Sequence, residues 1–199
     1  MTPAAADVTV LVPAAGSGER MGHGPKALLD LNGRPLVEWV VRKAMAIADQ
    51  VIVACPPGAK PQLDPACRWQ RIDGGPTRQH SVRLLAQAAQ TPWVLVWDAA
   101  RPFTSLAQAQ EVLAAAHHTG AAAARLPDGS FQTPLAFTRE LLLHTVDLAD
   151  DEGWVAPSTM ALVLRAGHAV ATVDGDPLNI KLTFPGDWPP AQALLQRLA

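Results

Sequence analysis

Residues 8–29 read VTVLVPAAGSGERMGHGPKALL, an apolar run that passes directly into a glycine-rich loop. The β-branched run predicts a buried parallel strand. The loop matches neither common phosphate pattern, because its glycines are one residue too far apart for G-x-G-x-x-G and Lys26 lacks the flanking residues of a Walker loop. It does offer unhindered backbone N–H groups, with Arg20 and Lys26 able to project over the same space. That combination suits a triphosphate; the alternative is a flexible connector with solvated cations.

Beyond this loop, predicted strands and helices alternate along the chain. Strands are expected at residues 50–57, 67–75, 93–103, 121–126 and 168–175, and helices at 35–48, 77–90, 105–120, 138–153, 158–167 and 189–199. Residues 127–137 look rich in turns, and residues 179–188 look extended. The alternation predicts an α/β fold with a mostly parallel sheet covered on both faces. Such sheets bind ligands where their strands end, so residues that directly follow a strand are the candidates for function.

Composition limits the function classes. The chain has 199 residues, 49% of them hydrophobic, which suits one domain over residues 1–199. A net charge of -2 gives no sign of nucleic acid or an anionic membrane as partner. The two cysteines, Cys55 and Cys67, lack metal-site spacing and are expected to be free thiols in a reducing cytoplasm. We see no signal peptide and no apolar run long enough for a membrane helix.

Two further motifs follow predicted strands. In WDAARP, Asp98 ends an apolar run, where its carboxylate could hold Mg²⁺ against substrate phosphates. The alternative is an ion pair with Arg101 that only fixes the loop. In GGPTRQHS, residues 74–81, two glycines allow close approach of a flat base, and Arg78 and Ser81 bring polar groups to a helix start. An ordinary helix capped by Thr77 would explain that motif equally.

The last motif is NIKLT, in which Lys181 is a lone cation within an apolar segment. It could point at an anion in the cleft, or it could be a surface lysine whose stem covers apolar neighbours. No Ser-His-Asp arrangement and no G-x-S-x-G motif is present. The acidic residues 150–152 suit a solvated helix end.

These four motifs, in this order, resemble those of the 2-C-methyl-D-erythritol 4-phosphate cytidylyltransferases of the non-mevalonate isoprenoid pathway. QTPLAF, residues 132–137, resembles a further stretch of that family, and the likeness extends from Val10 to the last helix. The resemblance implies a three-layer, Rossmann-like nucleotidyltransferase fold. It also implies transfer of CMP from CTP to methylerythritol phosphate, with release of pyrophosphate and with Mg²⁺ or another divalent cation as cofactor.

The resemblance also implies roles for residues. Arg20 and Lys26 would contact the CTP phosphates and Lys181 the α-phosphate, and we take these three as catalytic. Asp98 would lie at the metal, and Gly75 and Ser81 near cytosine and ribose. The substrate-binding set is Pro13, Ala14, Ala15, Gly16, Gly18, Gly75, Arg78, Ser81, Asp98, Ala99, Arg101 and Thr133.

One departure from the family concerns the region near residues 125–137, where family members carry a longer arm that exchanges across a dimer and supplies a basic residue to the acceptor. Here only PDGSF occupies that place. We therefore expect a homodimer weaker than is usual in the family. Three alternatives stay open: another sugar or polyol phosphate as acceptor, a catalytically decayed nucleotide-binding paralogue and, disfavoured by the glycine spacing, a dinucleotide-dependent oxidoreductase.

Overall fold

A computed structural model describes residues 2–18 and 24–198 of the chain. Its strands are β1 (Val8–Pro13), β2 (Gln50–Cys55), β3 (Gln70–Asp73), β4 (Trp93–Val96), β5 (Ala121–Arg125), β6 (Phe131–Thr138) and β7 (Ala171–Asp174). Its α-helices are α1 (Leu36–Ala44), α2 (Arg78–Ala88), α3 (Leu106–Ala116), α4 (Arg139–Asp151), α5 (Thr159–Arg165) and α6 (Trp188–Leu198). Short 3-10 helices occupy Ala5–Asp7, Lys26–Leu28 and Pro185–Asp187.

The strands form one sheet in the order β3-β2-β1-β4-β6-β5-β7. β6 runs antiparallel to both of its neighbours, and the other strands share one direction. The chain moves from β1 outward to β3 and then returns to place β4 on the other side of β1. The carboxyl ends of β1 and β4 therefore flank the point where the strand order reverses, which is the usual ligand position in such sheets.

Helices cover both faces of the sheet, which gives the expected three-layer arrangement. α1 and α3 bury one apolar face, with Val40 and Val112 inaccessible to solvent. α2, α4 and α5 cover the opposite face, where Leu85, Leu142 and Val163 are equally buried. Two of the predicted helix starts are confirmed: Thr77 and Ser105 accept hydrogen bonds from the backbone N–H groups of His80 and Gln108.

A third, smaller apolar cluster lies beside the sheet and anchors the late part of the chain. Leu31, Leu36, Phe103, Leu182 and Ala191 are buried together there. Leu182 belongs to the NIKLT motif, so this cluster holds the motif against the loop that follows β4. The fold thus fixes two segments far apart in sequence next to each other.

The prediction that residues 127–137 are rich in turns is wrong for residues 131–137. Residues 131–137 belong to β6, which is buried between β4 and β5, and the turn is confined to residues 126–130. Pro134 by itself argues against a strand, because proline cannot donate a ladder hydrogen bond. Here it falls where the β5–β6 register shifts, between the Ala123–Leu135 and Ala124–Gln132 pairs, so no donor is needed.

The structure describes two features that composition addressed, which are the state of the cysteines and the length of the helices. Cys55 is buried, Cys67 is partly exposed, and both are free thiols, as expected. The longest helix in residues 2–18 and 24–198 has 13 residues, and none of the helices described there could cross a membrane.

Candidate active site

A cleft of about 860 Å³ opens at the carboxyl ends of β1, β3 and β4. Its walls come from the loop after β1, the turn before α2, the loop after β4 and the segment after β7. The lining residues are Pro13, Ala14, Ala15, Gly16, Ser17, Gly18, Lys26, Ala27, Pro57, Gly74, Gly75, Pro76, Thr77, Arg78, Ser81, Asp98, Ala99, Ala100, Lys181 and Thr183. All four sequence motifs therefore contribute to one cavity.

The glycine-rich loop closes on itself at the cleft. Gly18 has a φ of +72°, and a Cβ atom built there would lie 2.0 Å from the carbonyl oxygen of Gly24. Only glycine fits this close approach. Gly16 has open space around it, so its backbone remains approachable from the cleft. Arg20 lies outside the described residues, and its predicted contact with phosphate stays a prediction.

Lys26 stands at the far end of this loop, where a 3-10 helix of three residues begins. Its Nζ lines the cleft and donates a hydrogen bond of 2.8 Å to the carbonyl oxygen of Leu182. The Leu182 N–H in turn donates to the carbonyl of Ala100 at 2.9 Å. The ammonium group of Lys26 thus connects the first motif to the last.

Asp98 lies at the centre of the cleft floor, with two cations on its two oxygens. Arg78 Nη1 is 2.5 Å from Oδ1, and Lys181 Nζ is 2.9 Å from Oδ2. The Asp98 side chain is 6% exposed, whereas those of Arg78 and Lys181 are 35% and 44% exposed. A buried carboxylate therefore holds two cations whose outer faces remain open to a ligand.

Burial would by itself raise the pKa of Asp98, because it disfavours the charged form. The positive charges of Arg78, Lys181 and Arg101 outweigh this effect and hold the pKa well below its usual range. Asp98 is consequently an anion at neutral pH. Trp97, which is inaccessible to solvent, fixes the end of β4 directly before it; truncating such a buried aromatic residue costs about 3–5 kcal/mol.

Arg101 and Thr133 are next to the cleft rather than in its lining. Arg101 Nη1 donates to the carbonyl oxygen of Asn179, so the direct partner of the guanidinium is not the Asp98 carboxylate. Thr133 is 7% exposed, and its Oγ1 accepts a hydrogen bond of 3.2 Å from the Asp98 N–H. Both residues support the floor of the cleft from behind.

The turn before α2 forms the opposite wall. A Cβ atom on Gly74 would lie 2.2 Å from the Cβ of Ala15, and one on Gly75 would lie 2.4 Å from the Cβ of His80. Ser81 is 2% exposed and ties this turn together, accepting from the Gly75 N–H at 3.1 Å and donating to the Thr77 carbonyl at 3.0 Å. Gly74 thus allows the turn before α2 to approach the loop after β1, and Gly75 allows the same turn to pack against the start of α2.

Sequence reasoning missed Asn179. This residue is completely buried, and its amide connects three separate segments of the chain. The available signal was its place in the NIKLT motif, whose most conspicuous residue is the charged Lys181. A short polar side chain within an apolar segment gives no indication of its partners, since all of them are distant in sequence.

Charge in the cleft is strongly one-sided. Lys26, Arg78 and Lys181 line it, and Asp98 is the one acidic residue in the described lining. Several cations beside a glycine-rich loop in a concave site form a receptor for an anion with multiple charges. Within the described residues, no cluster of three or more metal-ligating side chains occurs.

The chain was compared with known proteins. A family model described as IspD, 2-C-methyl-D-erythritol 4-phosphate cytidylyltransferase, matches residues 8–128 and 129–197. A Thermus thermophilus protein with that enzyme name is 40% identical over 209 residues, covering 94% of this chain and 97% of the relative. A Deinococcus radiodurans protein of the same name is 39% identical over 205 residues, covering 92% of this chain and 88% of that protein.

A solved structure of a protein with this enzyme name has the same fold as this chain. The crystal structure of a Thermus thermophilus enzyme of this name superposes with a TM-score of 0.85 at 37% identity, covering 96% of this chain and 99% of that one. The 209-residue alignment exceeds the 199 residues of this chain, so it includes positions at which this chain has no residue. The two segments matched by the family model meet at residues 128 and 129, in the turn between β5 and β6.

Proposed function

This chain belongs to the 2-C-methyl-D-erythritol 4-phosphate cytidylyltransferase family, and we infer from that premise that it transfers CMP from CTP to 2-C-methyl-D-erythritol 4-phosphate. Pyrophosphate is the second product, and the reaction belongs to isoprenoid precursor synthesis. The enzyme is a nucleotidyltransferase. The observation that best supports this function is the cleft in which Arg78 and Lys181 flank one buried carboxylate, at the reversal of strand order.

The chemistry explains the residues of the cleft. An oxygen of the acceptor phosphate attacks the α-phosphorus of CTP, and the bond from that phosphorus to the bridging oxygen breaks. The electron pair of that bond leaves with pyrophosphate. The attacking oxygen is already ionised at neutral pH, so the reaction needs cations and alignment rather than a strong base.

We assign the cations to this task. Lys26 binds the outer phosphates of CTP, and Lys181 binds the α-phosphate at which the reaction occurs. Arg78 reaches the same region from the start of α2. Asp98 keeps Arg78 and Lys181 in place before CTP arrives. The role of Arg20 on the triphosphate follows from the family resemblance.

Mg²⁺ is the cofactor that we propose, with Asp98 as its one protein ligand. Asp98 Oδ1 is buried and lies 2.5 Å from Arg78 Nη1 without a well-aligned hydrogen bond, so Mg²⁺ would take this oxygen in place of Arg78 once that guanidinium turns to the phosphates. Mg²⁺ commonly binds through one or two carboxylates and takes its other ligands from phosphates and water, so a single carboxylate fits. When bound, the ion would neutralise charge on the triphosphate.

The nucleoside is expected at the opposite wall. Gly75 and Ser81 would face cytosine and ribose, with the backbone of residues 13–16 below them. Ala99 and Gly18 extend the phosphate region at either side. The close approach of Gly74 to Ala15 keeps this part of the cleft narrow.

In place of the longer arm that the family resemblance leads one to expect, this chain has a short connection between β5 and β6. The turn between β5 and β6 is a tight one, in which the Leu126 N–H donates to the Ser130 carbonyl at 2.9 Å. We propose that the acceptor phosphate binds beside Asp98, with Thr133 and Arg101 as supports, and that any homodimer is weak. The two free thiols favour the cytoplasm as the location.

A pyrophosphate-release assay tests the function. CTP, Mg²⁺ and methylerythritol phosphate should give release, while other nucleoside triphosphates and other polyol phosphates should give much less. Lys181→Met should abolish most of the rate, and Lys60→Met, which removes an exposed lysine outside the cleft, should not. Faster release with another polyol phosphate would reassign the acceptor, and CTP binding without release would indicate a decayed paralogue.

A further inference from the structure

Asn179 has an unusual concentration of buried hydrogen bonds close to the cleft. Its side chain is inaccessible to solvent. Nδ2 donates to Gln108 Oε1 on α3 at 2.8 Å and to the Thr133 carbonyl on β6 at 2.9 Å. Oδ1 accepts from Thr104 Oγ1 at 2.9 Å. One amide therefore joins a helix, a strand and the loop after β4.

The backbone at Asn179 is held as well. Its carbonyl oxygen accepts from Gln132 Nε2 at 3.2 Å and from Arg101 Nη1. The Gln132 side chain also binds the backbone of Asp176. Its Nε2 donates to the Asp176 carbonyl and its Oε1 accepts from the Asp176 N–H, both at 2.9 Å. The segment between β7 and Lys181 is thereby attached to β6 by two amide side chains.

These contacts connect Asn179 to Asp98 and Lys181, the two charged partners on the cleft floor. Lys181 follows Asn179 by two residues and lies 2.9 Å from Asp98 Oδ2. The Asp98 N–H donates to Thr133 Oγ1, and the carbonyl of the same threonine accepts from Asn179. Asp98 and Lys181 therefore share one buried anchor, although they come from distant parts of the sequence.

We propose that Asn179 is a positioning residue for transfer, which sets the location of the Lys181 ammonium group relative to Asp98 and to the α-phosphate. The proposal rests on the function inferred above. Lys181 has an exposed, flexible stem, so its position depends on where the backbone at residues 179–181 is fixed. A displacement near 1 Å at a reacting group can lower a rate by about 100-fold. No other side chain that the structure describes makes all of these connections.

Asn179→Leu is the direct perturbation, because leucine keeps the same branched heavy-atom skeleton, with larger terminal groups, and makes none of the hydrogen bonds. We expect kcat to fall about 10- to 100-fold, with a rise of about threefold to tenfold in the dissociation constant of CTP. The larger effect on kcat follows because Lys181 acts where the reaction occurs. Thr104→Val removes one of the three side-chain contacts and should give a smaller loss in the same direction.

A double-mutant cycle separates positioning from general structural damage. If Asn179 acts through Lys181, then Asn179→Leu should cost less than about threefold in kcat in the Lys181→Met background. Thr9→Val serves as the control. Thr9 is also completely buried and shares hydrogen bonds of 2.7 Å with Gln50 and Thr91, but at the amino end of β1. It should lower the melting temperature and leave kcat unchanged.

The outcomes distinguish the proposals. Equal losses from Asn179→Leu in the wild-type and Lys181→Met backgrounds would overturn the positioning role, as would a loss in Thr9→Val as large as that in Asn179→Leu. If Asn179→Leu does not fold, the same cycle is run with Thr104→Val, and additivity again overturns the role. An inactive wild type would refute the proposed function instead, and the cycle measured on CTP affinity would still decide the role of Asn179.

Discussion

Gly74→Ala should damage catalysis through a single steric contact. A Cβ atom at residue 74 would lie 2.2 Å from the Cβ of Ala15 and 3.1 Å from Ser81 Oγ. Contacting carbon atoms sit about 3.5–4.0 Å apart, so the loop after β1 and the turn before α2 must separate by more than about 1 Å. Both loops line the cleft. We therefore expect kcat/KM for CTP to fall by about 100-fold, the scale of a 1 Å misplacement.

The control and the rescue follow from the same contact. Gly186→Ala places its new methyl group in open space and should leave the kinetics unchanged. Ala15→Gly in the Gly74→Ala background removes the clashing atom and should restore most of the activity, apart from the cost of added backbone freedom, about 0.5–1 kcal/mol.

Steady-state kinetics and calorimetric CTP titration measure the effect. Full activity in Gly74→Ala would show that the two loops need not approach so closely. A loss that Ala15→Gly fails to rescue would show that the damage comes from elsewhere than this contact.

Three further predictions concern charge and assembly. Lys26→Met should lower kcat/KM at least about 100-fold with little change in melting temperature; near-normal turnover would remove Lys26 from the phosphate site. Because the pKa of Asp98 is lowered in the fold, its carboxylate stabilises the protein above the unfolded pKa of about 3.9, and this contribution declines below that pH. The difference in free energy of unfolding between wild type and Asp98→Asn should thus be about 1 kcal/mol smaller at pH 3 than at pH 5; an unchanged difference in urea titrations would contradict the ion-pair assignment. Light scattering at micromolar concentration should show mainly monomer, and a tight dimer would mean that a surface other than the short β5–β6 turn forms the contact.

Much of the fold could be predicted because local patterns and tertiary structure agree. The run before Pro13 is apolar and β-branched and becomes a buried strand, and Thr77 and Ser105 cap the helices that they precede. β6 could not be predicted in this way. Pro134 normally argues against a strand, and the register shift that accommodates it depends on pairing with β5.

The site was predictable as a set of residues but not as a set of contacts. Asp98 and Lys181 stood out because charges at strand ends and in apolar segments are unusual. Their pairing, and the contact of Arg78 with the other Asp98 oxygen, depend on the strand order and on how the segment after β7 returns to β4. Asn179 carried no charge and no local pattern, so only the folded chain revealed its partners.

The most direct test of the proposed transfer follows the phosphorus atoms of CTP. CTP labelled with ³²P at the α-position or at the γ-position is incubated with Mg²⁺, methylerythritol phosphate and the enzyme. We predict that the α-label appears in the cytidylylated acceptor and the γ-label in pyrophosphate, and that both transfers become much slower in Lys181→Met. Release of the α-label as free CMP, or its retention in CTP while the nucleotide binds normally, would contradict the proposed transfer.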